Sequence, residues 1–205
     1  MLIAFYTKFD NFTFVEVNMK LPALIFTAFI LMFSPQANAQ NKWAIADKAT
    51  VRLKPSAFQQ LPKNIISYLQ ARGCTVPQAF GETKPHNVIR GQFAKSGQFD
   101  WAVLCSRNRV SAILVFWNGS TKSVAEIARS DDKDFLQTIS EGGTIGFSRA
   151  IDVVDKDYIL EHYREYGGLK PPTIKHQGIN DAYVEKASSV YYFYRKRWLE
   201  LQGAD

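Results

Sequence analysis

The chain has 205 residues, of which 46% are hydrophobic and 21% charged, and its formal net charge is +6 at pH 7. Without its first 39 residues it has the size of a single domain, and it lacks the internal repeats of a solenoid and any low-complexity tail. The basic balance favours solubility and weak attraction to anionic surfaces, but it identifies no partner.

The first 39 residues have the order of a secretory signal peptide. Lys20 precedes an uncharged apolar run at 21–33, and Ala37-Asn38-Ala39 places small residues at the −3 and −1 positions of a cleavage site. As a helix this run would cover about 20 Å, less than a bilayer core of roughly 30 Å, which favours a cleaved signal over a membrane anchor. We therefore expect a mature chain that begins at Gln40 and is periplasmic or secreted.

Residues 1–18 are unusual for a signal peptide, because Asp10 and Glu16 lie where positive charge is expected. Met19-Lys20 would begin a more ordinary signal, so we interpret Met19 as an alternative true start. The first mature residue is Gln40 and not a cysteine, so nothing indicates a lipoprotein.

The mature chain begins with an irregular segment and one helical region. Residues 40–54 are predicted to be irregular or to contain one short strand. Residues 56–72 are predicted to be helical, with a break at Pro62, where a second helix begins, and an end at Gly73. The apolar residues that carry this spacing are Phe58, Leu61, Ile65, Ile66 and Leu69.

A β-rich block follows the loop at 75–85. Two strands are predicted at 87–93 and 99–105, around a turn at 94–97. Two more strands are predicted at 110–117 and 122–128, and Asn118-Gly119 between them favours a type I′ hairpin turn. The block predicts an antiparallel meander.

The segment from 131 to 153 is predicted to contain a helix and a strand. Residues 131–139 have the pattern of a short helix capped by Ser130 or Asp131. After Gly142-Gly143, residues 144–153 are predicted to form one continuous strand.

The C-terminal part is predicted to contain one helix and two or three strands. The helix at 155–166 ends at Gly167-Gly168, and the strands lie within 178–201 with Arg195-Lys196-Arg197 at a turn. Together the elements predict a single α+β domain over residues 40–205, in which an antiparallel sheet packs against helices.

The two cysteines, Cys74 and Cys105, both lie in the mature part. In an oxidising compartment an even count predicts a disulfide between them. The alternative is two buried, reduced thiols that pack as small apolar residues. A nucleophilic Cys105 is disfavoured, because Ala102-Val103-Leu104 before it has the pattern of a buried strand.

Residues 91–103 resemble the calcium-loop hairpin of the FG-GAP and VCBS repeats. The acidic positions of those families fall here on Gln92, Ala94 and Ser96, and only Asp100 keeps a carboxylate. Because calcium takes about six to eight oxygen ligands, several of them charged, we expect the loop to hold its turn without metal. The resemblance occurs once and does not imply a propeller. The residues that match the frame are Gly91, Phe93, Gly97, Asp100, Ala102 and Val103.

The segment at 174–205 contains Glu185-Lys186-Ala187-Ser188, an aromatic strand and Trp198 near Ala204-Asp205. With the preceding hairpin, these features resemble uncharacterised exported bacterial proteins. The resemblance implies an exported location and this fold class, and it implies no activity or cofactor.

Gly146-Phe147-Ser148-Arg149-Ala150 approximates the nucleophile elbow of α/β-hydrolases, and Asp152 and then His162 or His176 follow in the matching order. The elbow requires a strand, a tight turn and a helix, whereas one continuous strand is predicted here, and no oxyanion motif precedes it. Ser148 is therefore predicted to be an ordinary strand residue.

The three histidines have no metal-ligand spacing, so no metal site is predicted. His162 is interpreted as a packing or surface residue in preference to a general base. His86 and His176 lie in loops near prolines, where hydrogen bonds to the backbone are usual. A site would need the fold to bring these histidines together with Asp100 or Asp181.

Arg195-Lys196-Arg197, with the aromatic residues at 191–194 and Trp198, offers charge and stacking surfaces that suit a nucleic acid or an anionic envelope polymer. The favoured alternative is a solvated hairpin tip with its aromatic residues in the core. The sequence thus indicates a non-enzymatic exported domain that binds an envelope protein or an anionic polymer, with no cofactor, catalytic residue or specific nucleic acid. The competing hypothesis is a small periplasmic hydrolase that uses Ser148 or a histidine–carboxylate pair.

Overall fold

The structure is a computed structural model that describes residues 36–203. The predicted signal peptide therefore lies outside the described part except for 36–39, and so does the alternative start at Met19. The described residues form three α-helices and four antiparallel sheets, which confirms the predicted α+β class. Among the helices of the described segment, none is long and apolar enough to cross a membrane.

Two four-stranded antiparallel sheets form the centre of the fold. The first sheet has the strand order β3-β4-β5-β6, which confirms the meander. Its strands are β3 (Val88–Gly91), β4 (Asp100–Arg107), β5 (Val110–Phe116) and β6 (Val124–Asp131). The second sheet has the order β12-β11-β10-β9. Its strands are β9 (Arg149–Val154), β10 (Gly178–Tyr183), β11 (Ala187–Tyr194) and β12 (Arg197–Gln202).

The remaining helices and strands lie around these two sheets in the sequence. The helices are α1 (Gln36–Ala49), α2 (Lys63–Ala71) and α3 (Lys156–Tyr166). The small strands are β1 (Arg52–Leu53) and β2 (Val76–Pro77), which pair, and β7 (Leu136–Thr138) and β8 (Ile145–Phe147), which also pair.

The two large sheets pack face to face, and a helix covers each outer face. Val103 and Leu114 on one face of the first sheet pack with Ile65 and Leu69 of α2. Leu104 on the opposite face packs with residues of the second sheet, and Ile159 of α3 packs on the outer face of that sheet. The first sheet is therefore buried on both faces, which explains why β4 and β5 read as nearly continuous apolar runs.

The predicted disulfide is confirmed. Cys74 and Cys105 are bridged, with their Cα atoms 5.4 Å apart, inside the range that a disulfide requires. Both residues are buried, and the neighbouring Thr75 and Ser106 form an isolated antiparallel bridge. The bond therefore ties the end of α2 to the middle of the first sheet.

The expectation that 40–54 is irregular or contains one short strand holds only for β1 at Arg52–Leu53, because α1 reaches Ala49. Trp43 and Ile45 on this helix are 41% and 57% exposed, so α1 lacks the buried apolar face from which a helix is predicted. Its C-terminal end is held instead by Asp47, which pairs with Arg52 and with Arg109. In the region predicted as helical at 56–72, the break at Pro62 is confirmed: α2 begins directly after it, and the residues before it form only a 3-10 turn at Pro55–Ala57.

The predicted helix at 131–139 is also wrong. This segment forms one 3-10 turn at Asp132–Phe135 and then β7. Neither predicted cap forms, because the Asp131 side chain makes no capping hydrogen bond and the Ser130 Oγ donates to Asp134 at 3.1 Å. The neighbouring Asp132 carboxylate accepts hydrogen bonds through Oδ2 from Arg52 (2.8 Å) and Ser106 (2.6 Å). The Asp132 carboxylate thus takes part in an ion pair with Arg52, which is 80 residues away in the sequence, and not in a helix cap.

The continuous strand predicted at 144–153 is interrupted at Ser148, between β8 and β9. The backbone N–H of Ser148 and its Oγ both donate to the carbonyl of Phe135, at 2.9 and 2.6 Å. The chain leaves the small hairpin at this point and enters the second sheet, so Ser148 is not a strand residue as expected.

The loop at 117–123 is longer than a two-residue hairpin turn. Asn118 and Gly119 both have positive φ (49° and 68°), as the sequence predicted, but the flanking pair is Phe116 with Val124. Two contacts hold the loop away from a tight turn: the Asn118 N–H donates to Asp100 at 2.7 Å, and Asn64 donates to the Gly119 carbonyl at 2.8 Å.

Candidate cationic–aromatic binding surface

Three connections meet at one end of the two packed sheets. They are the β3–β4 loop at 92–99, the β5–β6 loop at 117–123 and the β11–β12 hairpin at 194–197. The ring of Trp117 contacts the ring of Phe193, which joins the second connection to the third. We call the surface of these three connections, together with Arg90 and Trp101, the cationic–aromatic end.

The buried carboxylate of Asp100 holds two of these loops together. Its Oδ2 atom accepts the backbone N–H groups of Phe93 (3.1 Å) and Ala94 (2.9 Å). Its Oδ1 atom accepts the side chain of Gln98 and the backbone N–H of Asn118, both at 2.7 Å. Both oxygens of the one carboxylate kept from the calcium-loop pattern therefore serve to organise backbone, and Gln92 also bonds across the loop, to the Gly97 N–H.

Three aromatic rings form a cluster on the side of this end that faces the second sheet. Trp117 lies 4.8 Å from Phe193 and 5.7 Å from Trp198, with the two indoles stacked at 23°. Phe193 and Trp198 meet edge to face at 5.5 Å. All three residues are half-buried against the core between the sheets, and the Nε1 atom of Trp198 is buried without a hydrogen-bond partner.

A second aromatic group lies on the other side of the first sheet. The Arg90 guanidinium lies 4.4 Å from the centre of the Phe99 ring and 5.8 Å from that of Trp101. Phe99 is 46% exposed. Because Gly119 lies beside Trp101, the loop at 117–123 connects this group to the cluster around Trp117.

The charged residues of the three connections are all basic. The three connections contain five basic residues and no carboxylate. Arg195 and Lys196 have φ values of 48° and 65°, as the centre of a type I′ turn requires, and Arg195 lies 5.3 Å from the ring of Tyr194. The basic residues, all exposed, are Lys95, Lys122, Arg195, Lys196 and Arg197.

The structure does not gather the sequence-predicted polar candidates into one site. Asp100 lies at the cationic–aromatic end, whereas Ser148 is fully buried and bonded to the Phe135 carbonyl. His176 contacts the carbonyl of Gln177 through Nδ1, at 2.9 Å. Among the described residues, no histidine hydrogen-bonds to Ser148, Asp100 or Asp181.

His86 bonds to backbone, the role expected for a loop histidine. Its Nε2 accepts the Ala79 N–H at 2.8 Å, which places the proton on Nδ1, where the Lys84 carbonyl lies 3.2 Å away. With both ring nitrogens engaged, His86 fastens the loop at 78–86 and has no nitrogen left for a ligand.

His162 is buried on α3 between Tyr158 and Tyr166, against the end of β12. Burial lowers the pKa of its imidazole, an effect that the nearby Glu165 partly opposes. His162 is therefore a packing residue, as the sequence indicated, and its neutral form is the one that this site favours.

A buried ion pair lies at the opposite end of the sandwich from these loops. Arg149 and Asp181 form a bidentate pair at 2.8 and 2.7 Å. Burial raises the pKa of the Asp181 carboxyl, and the Arg149 guanidinium acts against that rise. Tyr191 nearby also has a raised pKa, because of its burial and the charge of Glu200.

Sequence reasoning found the hairpin at 194–197 but missed its companions. Trp117, Phe99 and Arg90 belong to segments that are remote in sequence, and only the pairing of the strands brings them together. A local signal did exist for one of them, since Trp117 directly precedes the predicted turn at Asn118-Gly119.

No protein-family model, curated protein or solved structure matches this chain.

Proposed function

We propose that this chain is an exported, non-enzymatic binding domain whose cationic–aromatic end binds an anionic polymer of the cell envelope. The observation that carries the proposal is the coincidence of five exposed basic side chains and no exposed carboxylate on three adjoining connections, with aromatic rings on and beside them. Cations attract a polyanion over a long range, and the exposed ring of Phe99 gives it a stacking surface at close range.

The disulfide supports the export part of the proposal. Structural disulfides persist in oxidising compartments such as the periplasm or the exterior, and they are rare in the cytosol. The bond between Cys74 and Cys105 agrees with a signal peptide that ends at Ala39, and periplasmic or secreted is the location that we propose.

The competing hydrolase hypothesis has less support. A serine nucleophile needs an accessible Oγ with a base in hydrogen-bond reach. Ser148 is buried, and its Oγ donates to a backbone carbonyl. His162 is buried between tyrosines, and in the described structure it forms no hydrogen bond with a carboxylate.

The chain offers a specific test, because Arg195 and Lys196 occupy a turn that Asn and Gly prefer. The double substitution Arg195→Asn/Lys196→Gly removes two charges while keeping the turn geometry. The matched control is Lys48→Gln/Lys186→Gln, which removes two exposed lysines outside the cationic–aromatic end. Both double variants have the same net charge.

Tryptophan fluorescence can report binding, because three of the four tryptophans (Trp101, Trp117 and Trp198) lie at this end. With Trp43→Phe as the background, titration with alginate at low salt should change the emission. The turn variant should weaken binding roughly tenfold to thirtyfold, at about 1 kcal/mol per basic residue, and the control should not. Equal losses of affinity in both variants would show that binding depends on net charge alone. Tighter binding to single-stranded DNA than to alginate would point to a nucleic acid as the ligand.

A further inference from the structure

The two large sheets are joined along one side and open along the other. On the joined side, Asn87 bridges the segment before β3 to β9: its side chain accepts the Ile151 N–H at 2.9 Å and donates to the Arg149 carbonyl at 3.1 Å. On the open side the outermost strands are β6 and β12. The space between them is a cavity of about 300 Å³, which we call the edge cleft.

The floor of the edge cleft is the buried pair of Arg149 and Asp181. All five N–H donors of Arg149 are used: two bind Asp181, two bind the hydroxyl and carbonyl of Ser111, and one binds the Ala128 carbonyl. Each Asp181 carboxylate oxygen receives one of these bonds and keeps acceptor capacity. The floor is therefore neutral overall, and the group that it offers to a ligand is a hydrogen-bond acceptor.

Apart from Arg129, the polar groups of the walls are uncharged, and several already donate within the protein: Ser130 to Asp134, Tyr183 to the Leu136 carbonyl and Ser189 to Glu200. Their oxygens keep acceptor capacity. The cleft is lined by hydroxyls from both sheets, by the amide of Gln202 and by the ring of Phe135. Arg129 at the rim is exposed and pairs with Glu126 at 2.9 Å. The hydroxyl-bearing residues are Ser130, Tyr183, Ser188, Ser189 and Tyr191.

We infer that the edge cleft binds an uncharged sugar residue. A charged ligand would meet a floor whose charges already cancel, and an apolar ligand would cover the hydroxyl and Asp181 oxygens without offering them a hydrogen-bond donor. A ring rich in hydroxyl groups can donate to several of these acceptors at once. The volume is at the lower end of ligand sites, about 300 to 1,000 Å³, which suits one or two rings.

This inference does not depend on the proposed function, because the edge cleft and the cationic–aromatic end lie at opposite ends of the strands. In the second sheet the hairpin at 194–197 marks one end, and Tyr183 with Ala187 marks the other. Sugar binding at the cleft should be insensitive to salt and should persist in Arg195→Asn/Lys196→Gly, whereas polymer binding should not.

The test is a titration of the ¹⁵N-labelled mature protein, followed by backbone amide shifts. The probes are glucose, N-acetylglucosamine and the β-1,4-linked trimer of N-acetylglucosamine, each up to about 20 mM, because single-ring affinities are commonly millimolar. The amides of Ser130, Ser189 and Gln202 should shift with at least one of these sugars. The amides of Asn118 and Lys196 should not.

The matched variants are Ser189→Ala/Gln202→Ala in the cleft and Ser56→Ala/Gln70→Ala on the exposed surface near α2. Both double variants remove one hydroxyl and one amide. The cleft variant should weaken the dissociation constant at least fivefold, and the control should leave it unchanged. The inference is overturned if no cleft amide shifts with any of the three sugars, or if the shifts survive unchanged in a folded cleft variant.

Discussion

Arg149 and Asp181 form a bidentate ion pair whose guanidinium also holds the other sheet. Arg149 lies on β9 and Asp181 on the neighbouring β10, while the Nη atoms of Arg149 reach Ser111 on β5 (2.8 Å) and Ala128 on β6 (2.5 Å). Ala128 has a φ of 53°, in the left-handed region, and its carbonyl accepts one of these bonds. One side chain thus fastens the two sheets where β6 departs from regular pairing.

Removing one partner of this pair should destabilise the fold strongly. Arg149→Met leaves the Asp181 carboxylate buried without a counter-charge, so the free energy of unfolding should fall by about 3 to 5 kcal/mol. Asp181→Leu should cost a similar amount, and the double variant less than the sum, because it leaves no buried charge. Urea unfolding of the three variants measures the coupling. Arg129→Ala, at an exposed pair, is the control and should cost under about 1 kcal/mol. If the two substitutions lowered the free energy of unfolding by strictly additive amounts, Arg149 and Asp181 would not be coupled, and the ion pair would be contradicted.

Stability should fall when the solution becomes acidic, and His162 should account for part of that loss. Burial lowers the pKa of His162 in the folded state, whereas in the unfolded chain it titrates near about 6.5. The unfolded state therefore binds more protons between those two values. The contribution of neutral His162 is complete above about pH 6.5 and is lost as the pH falls through the folded pKa.

The measurement is urea unfolding at about pH 7.5 and at about pH 5. His162→Gln removes the titration, so its stability should change less between these two conditions than that of the wild type. His176→Gln is the matched control, because His176 is half-buried and lies in a loop. An identical pH dependence in wild type and His162→Gln would refute the role of His162.

Local chemistry explains which parts of the fold the sequence predicted. Helix α3 was visible because Asp155 caps it by accepting the N–H groups of Asp157 and Tyr158, and Gly167 with a φ of 81° ends it. Helix α1 was not visible, because it is fastened by Asp47 to Arg109, a residue 62 positions away. Alternation within a strand also cannot tell whether eight strands form one sheet or two, since that depends on which edges meet.

The candidate binding surface was likewise predictable only where it depends on local sequence. The basic hairpin at 194–197 is a local feature and was found, whereas its junction with Trp117 depends on the packing of the two sheets. The edge cleft gave no local signal at all. Its Arg149 and Asp181 are 32 residues apart, and the serines around them are ordinary in sequence.

Export should remove the first 39 residues, because Ala37-Asn38-Ala39 follows the apolar run at 21–33. Intact mass spectrometry of the protein secreted or recovered from the periplasm of an expression host should give a chain that starts at Gln40. Substitution of Ala39 by a bulky residue, Ala39→Phe, should block this cleavage, while Ala44→Phe should not. A full-length product retained in the membrane would contradict the signal peptide.

Calcium should not stabilise the loop at 92–99, because the Asp100 carboxylate is already satisfied by four N–H donors. Millimolar calcium should leave the melting temperature unchanged, while Asp100→Asn should lower the free energy of unfolding by at least about 2 kcal/mol, since charge-assisted bonds are lost. The exposed Asp157→Asn is the matched control. A rise in melting temperature with calcium would show that other oxygens complete a metal site.

The disulfide should account for a large share of the stability. It joins positions 31 apart in the sequence, for which the chain-entropy estimate is about 3 to 4 kcal/mol, against roughly 5 to 15 kcal/mol for a whole domain. Without it, the loop after α2 would stay on the first sheet only through the pairing of Thr75 with Ser106 and through apolar packing.

The protein purified under oxidising conditions should contain no titratable thiol, and reduction should lower its melting temperature by about 10 °C. Cys74→Ala/Cys105→Ala should show the same lowered melting temperature without reductant, because both cysteines are buried and alanine keeps the site apolar. Adding reductant to this double variant provides the control, since it has no bond to lose and should not respond. Two titratable thiols in the native protein, or a double variant as stable as the oxidised wild type, would show that the helix and the sheet do not depend on this bond.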